Sequence, residues 1–136
     1  MPKLFRFEIV TPEKIISSDE IESLVVLAEG GYLGVLAGHA PMLCTTRPGD
    51  LTLRKPGQTR HYFAADGFIE VLPSKTTLLV ESAEEVGAID VARAEKARDR
   101  ARGRIANPSM EIDPVRARTA LERAEARVRT AQKHRR

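Results

Sequence analysis

Apolar and polar residues alternate one for one near the start of the chain, with Phe5, Phe7 and Ile9 interleaved by Arg6 and Glu8. A period of two predicts a strand with one buried face. Thr11-Pro12-Glu13 turns the chain. Residues 21–28, with Leu24, Val25, Val26 and Leu27 at their centre, predict a well-buried strand that Glu29-Gly30-Gly31 ends. Residues 32–36 are short and apolar, and residues 37–41 form a loop. Strands are expected over 42–46 and 50–55, on either side of a turn at Arg47-Pro48-Gly49. Pro56-Gly57 closes a hairpin spanning 51–64, and Pro73-Ser74-Lys75 sits between strands at 68–72 and 76–80. Close-set strands with Gly/Pro punctuation and no helix between them predict an antiparallel sandwich or barrel.

After Val86-Gly87 the period lengthens. Asp90 is placed to cap a helix that starts at Val91. Ala94, Ala97, Ala101 and Ile105 recur at spacings of three and four and share a face. Gly103, Asn107 and Pro108 weaken or end that helix. Asp113-Pro114 then combines a capping side chain with proline at the first helical position. Ala117, Ala120, Leu121, Ala124, Val128 and Ala131 form a second stripe. A short connection between two amphipathic helices predicts an antiparallel hairpin. Because the seam is mostly alanine, it favours helix but buries little apolar area. The helices are expected to form readily and dock weakly, which leaves the hairpin's position to a ligand or partner.

Charge divides along the same boundary. The chain carries a net +3, but residues 85–136 hold 14 Lys and Arg against 8 Asp and Glu, whereas residues 1–84 hold 8 against 11. A basic arm on a mildly acidic body points to an anionic partner. The basic part has no aromatic residue on which bases could stack, which weakens a nucleic-acid reading. No apolar run reaches the roughly 18 residues of a membrane-spanning helix. The start, Met1 to Arg6, has no signal-peptide core, and the composition fits a cytoplasmic protein. The single cysteine, Cys44, forms no internal disulfide framework and no cysteine-based zinc site. His39, His61 and His134 lie far apart and read as surface or loop histidines.

Four arginines carry the candidate chemistry. Arg93 and Arg100 lie nearly two helical turns apart, roughly 10 Å along the axis. Arg123 and Arg127 lie one turn apart on the partner helix. An antiparallel hairpin can gather all four, where they would repel unless a phosphate chain accepted their paired N–H groups. Glu84 and Asp90, beside the first helix, are placed to accept hydrogen bonds from a base or ribose. The bland reading is a solvated arginine-rich face, and the residues alone favour it. The Gly30–Gly38 stretch is not a phosphate loop, since no Gly-Lys-Ser/Thr and no helix follows it. The pairs His39/Asp50 and His61/Asp66 are too generic to argue for an enzyme.

In four places the residues resemble the epsilon subunit of the bacterial F-type ATP synthase. These are Val10-Thr11-Pro12, the run from Gly34 to Pro41 (Gly-Val-Leu-Ala-Gly-His-Ala-Pro), Gly67-Phe68-Ile69-Glu70-Val71, and Asp90-Val91-Ala92-Arg93-Ala94. The resemblance spans essentially the whole chain. It implies an N-terminal antiparallel flattened β-sandwich over residues 1–86 and a C-terminal antiparallel two-helix hairpin over 87–136. It implies a non-catalytic rotor subunit, peripheral on the cytoplasmic face of the bacterial cell membrane, that couples proton flow to ATP synthesis. The sandwich would bind the gamma subunit and touch the c-subunit ring, with Tyr32 and His39 in the loop region facing that ring. The extended arm would meet an acidic segment of the beta subunits through Arg116, Arg118, Arg123 and Arg127 and restrain hydrolysis; folded down, it would release them. In ATP-binding members the nucleotide holds the folded form. Their residues fall here on Glu84, Ile89, Asp90, Arg93, Ala94, Arg100, Arg123 and Arg127, with phosphates on the arginines and adenosine on the carboxylates. No cofactor is required on this reading, ATP being a regulatory ligand, and no dedicated carboxylate cluster for Mg²⁺ is visible. Tyr32 replaces a frequent acidic residue and Ala37 a frequent proline. The alternative is a β-sandwich adaptor whose basic hairpin binds nucleic acid or another acidic partner.

Overall fold

The computed structural model describes residues 3–135. Strands run in the order β1 (Phe5–Val10), β2 (Ile15–Ile21), β3 (Ser23–Ala28), β4 (Gly31–Leu36), β5 (Met42–Lys55), β6 (Gln58–Ala64), β7 (Gly67–Val71), β8 (Lys75–Val80) and β9 (Ala83–Glu85). A 3-10 turn at Val86–Ala88 leads to α1 (Val91–Ala106) and α2 (Pro114–His134). The strands pair in the order β2-β1-β8-β7-β5-β3-β4, with β6 on β5 and β9 on β6. All pairings are antiparallel except β1 with β8, which run parallel. Alternate residues turn inward, so that Phe7, Ile9, Ile21, Leu24, Leu51, Leu53, Ile69 and Leu78 fill one core.

The expected turn at Arg47-Pro48-Gly49 is not a turn. β5 is continuous over Met42–Lys55; its first part pairs with β7 and its second with β6. Opposite β3, Thr46 faces Ala28 and Leu51 faces Val26, so residues 47–50 bulge against Leu27 alone. Pro48, which has no N–H for a ladder, sits inside that bulge. Gly49 presses so closely on the other side that an added Cβ would lie 2.8 Å from the Leu27 Cδ2. Turn-like composition here marks a strand crossing from one layer of the sandwich to the other. The β2 segment, Ile15-Ile16-Ser17-Ser18-Asp19-Glu20-Ile21, lacks alternation and is missed by periodicity. It is an edge strand held by polar contacts, Ser18 to Glu8 at 3.0 Å and Lys55 to Asp19 at 2.9 Å.

Both helix starts form as their caps predict. The Asp90 carboxylate accepts from the Arg93 N–H at 3.0 Å, and Asp113 accepts from Val115 at 2.9 Å, with Pro114 opening the helix. The second helix differs from its single predicted stripe. Ala117, Ala124, Val128 and Ala131 are buried as expected, whereas Ala120 is exposed, and Ala126 and Thr130 are buried in addition. α2 therefore has two covered sides, because it lies between α1 and the sandwich rather than against α1 alone.

Candidate functional site

The arm is folded onto the sandwich, and one apolar cluster seats it. Phe63 and Ala65, at the end of β6 and just beyond it, meet Val86, Ile89, Ala126 and Ala131. The seam is small because its helical side is alanine, and Phe63 supplies the largest of its side chains. The Arg127 guanidinium lies 4.5 Å from the centre of the Phe63 ring, within cation–π range.

Ion pairs frame this cluster. Arg123 Nε donates to Asp66 at 3.0 Å. Arg127 Nε donates to Glu84 at 2.9 Å, and its Nη2 to the Ser82 hydroxyl at 3.1 Å. Two of the four predicted arginines thus turn inward onto carboxylates of the sandwich. Arg93 and Arg100 stand exposed on α1. Glu84, expected to face adenosine, is engaged by Arg127, and the Asp90 carboxylate is occupied as a helix cap. Arg116 and Arg118 are exposed near the start of α2.

Tyr32 is not in a loop. It lies in β4, directly opposite Leu27, on the face that the arm covers. Its hydroxyl donates to the buried Asp50, and the Lys133 Nζ lies 5.3 Å from its ring centre. Its hydroxyl is committed inside the chain, although the residue remains over half exposed. His39 is in the loop after β4, where Gly38 adopts a positive φ of 78° and His39 donates its N–H to the Leu36 carbonyl at 3.1 Å. Neither generic histidine–aspartate pair forms: Asp66 meets Arg123, and Asp50 meets His134 at 2.9 Å and Lys133 at 3.0 Å. Burial would raise the Asp50 carboxyl, but donation from Tyr32, His134 and Lys133 outweighs it and holds the group at about 2. Asp50, Asp66 and Phe63 carry no sequence signal for arm binding; only the crossing of β5 and the seating of α2 bring them into play.

Residues 4–86 match the family described as ATP synthase, Delta/Epsilon chain, beta-sandwich domain, and residues 88–132 match ATP synthase, Delta/Epsilon chain, long alpha-helix domain. The ATP synthase epsilon chain of Nitratidesulfovibrio vulgaris (strain DP4) is 42% identical over 129 residues, covering 95% of this chain and 96% of that relative. This chain belongs to the ATP synthase epsilon-chain family. The epsilon chain of Solibacter usitatus (strain Ellin6076) is 40% identical over 133 residues, 98% of this chain and 99% of that one. The fold also matches a chain in the cryo-EM structure of the Euglena gracilis mitochondrial ATP synthase, OSCP/F1/c-ring in rotational state 1. There the TM-score is 0.82, with 23% identity, over 98% of this chain and 84% of that chain. As a family member the chain is an epsilon-type, non-catalytic subunit of ATP synthase. No described helix is long and apolar enough to cross a membrane.

Proposed function

We propose that the chain serves as a rotor subunit on the cytoplasmic face of the bacterial membrane, its sandwich bound to the gamma subunit and touching the c-subunit ring through the His39 loop. An exposed apolar row supports a protein partner on the sandwich. Phe68 and Leu79 face each other across β7 and β8, 52% and 46% exposed, and Leu43 on β5 lies on the same face at 67%. The helical arm restrains ATP hydrolysis when it extends and meets an acidic beta-subunit segment through Arg116, Arg118, Arg123 and Arg127. The observation that carries this reading is the seating of α2. Arg123 and Arg127, which the extended arm would present to acidic partners, bond to Asp66 and Glu84 in the folded form. One pair of guanidiniums thus has two alternative sets of carboxylates, and the arm's position decides between them.

ATP fits this scheme as a ligand of the folded form. Each guanidinium has five N–H donors, and the contacts of Arg123 and Arg127 leave some of theirs free. Arg93 and Arg100 add two exposed cations on the neighbouring helix. Calorimetric titration of the full chain with ATP, with and without Mg²⁺, is expected to show saturable binding. Arg123→Ala is expected to weaken it by about tenfold or more, the value of a charge-assisted hydrogen bond. Absence of binding up to millimolar ATP would remove the nucleotide from the scheme and leave the basic arm.

A further inference from the structure

We propose that the last turn of α2 is a latch that holds the arm down without nucleotide, with Asp50 as its catch. Three consecutive residues at the end of the arm each find a fixed acceptor. The Lys133 ammonium and the His134 Nε2 both reach Asp50 Oδ2, at 3.0 and 2.9 Å. The Arg135 guanidinium donates to the carbonyls of Val86 and Ile89, in the linker that precedes α1. Asp50 is only 9% exposed, and its other oxygen is taken by the Tyr32 hydroxyl. The His134 ring stacks on His61 of β6, with centroids 3.9 Å apart and planes 14° from parallel, and His61 Nδ1 is in turn 2.9 Å from the Thr52 hydroxyl.

The construction suits a catch rather than a permanent core. Tyr32, Asp50, Thr52 and His61 belong to strands and stay in place whether or not the arm is docked. Lys133 and His134 arrive on the arm and leave with it. When they leave, Asp50 opens to water and is solvated, so no charge is stranded in an apolar interior. While they are present, a buried carboxylate holds two donors from one helical turn, a stronger arrangement than an exposed surface pair. The β5 bulge gives the catch its position, because Asp50 directly follows Gly49 where the strand crosses between layers. None of the candidate nucleotide residues, Glu84, Asp90, Arg93, Arg100, Arg123 or Arg127, belongs to the latch. The latch therefore stands or falls separately from ATP binding.

The test measures arm position in the full chain, free of nucleotide. Spin labels are placed at Gln132→Cys, exposed on the last turn of α2, and at Thr59→Cys, exposed on β6 two residues from His61, in a Cys44→Ser background. The parent is expected to give one short distance. Asp50→Asn is expected to add a longer-distance population, and so is the Lys133→Ala/His134→Ala pair. The pair lies wholly on the arm and leaves every strand residue intact, so a folding defect of the Asp50 variant cannot decide the outcome. Lys96→Ala, on the exposed side of α1, is the control and is expected to leave the distances unchanged. Distances unchanged in the Lys133/His134 variant, or a parent already spread over long distances, would overturn the latch.

Discussion

Gly67→Ala is expected to destabilise the sandwich by about 3 kcal/mol or more, the upper end of what overpacking costs. Gly67 opens β7 opposite Val80, and a Cβ built there falls 1.9 Å from the Leu79 carbonyl oxygen and 2.9 Å from its carbonyl carbon. Those are backbone atoms of a paired strand, so nothing yields without shifting β7 against β8. Gly49→Ala is the useful contrast. Its nearest neighbour, at 2.8 Å, is the end of the Leu27 side chain, which can rotate, so a loss nearer 1 kcal/mol is expected. Urea unfolding followed by circular dichroism distinguishes them: the midpoint should fall much further for Gly67→Ala with the slope unchanged. Equal, small losses would contradict the β7–β8 pairing described above.

Phe63→Ala is expected to release the arm. A buried phenylalanine truncated to alanine typically costs about 3–5 kcal/mol, and most of the Phe63 surroundings belong to the linker and α2 rather than to the main core. The loss should therefore fall on docking. The remaining apolar partners on the helix are Ala126 and Ala131, too small to replace it. Limited trypsin digestion reads this directly, since the arm is rich in arginine. The variant should lose its helices to cleavage well before the strands are cut, at a protease level that leaves the parent intact. Equal protection in both would show that ion pairs alone seat the arm.

Much of the fold is readable from local chemistry. Period-two alternation at Phe5, Phe7 and Ile9 and the two helix caps at Asp90 and Asp113-Pro114 are decided within a few residues, and the structure places them as expected. What periodicity misses depends on contacts distant in sequence. Pro48-Gly49 reads as a turn because a bulge that packs on Leu27 uses the same residues as a turn. β2 has no buried alternation because it is a polar edge. α2 shows one stripe too few because alanine is ambiguous: Ala126 looks like any small helix former until Phe63 is set against it. The arginines illustrate the same limit at the site. Their spacing marks Arg123 and Arg127 as a pair, but their carboxylates come from Asp66 and Glu84, 57 and 43 residues away in the chain.

The proposed function divides the labour, so that the sandwich would build the stalk and the arm would govern hydrolysis. Removing the arm tests it most directly. A chain ending at Glu85 is reconstituted with the remaining synthase subunits, and assembly and ATP hydrolysis are measured beside the full-length chain. The sandwich core is built from strand residues alone, so the complex is expected to assemble and hydrolysis to rise. Loss of assembly would contradict the division, and unchanged hydrolysis in a properly assembled complex would contradict the regulatory role of the arm.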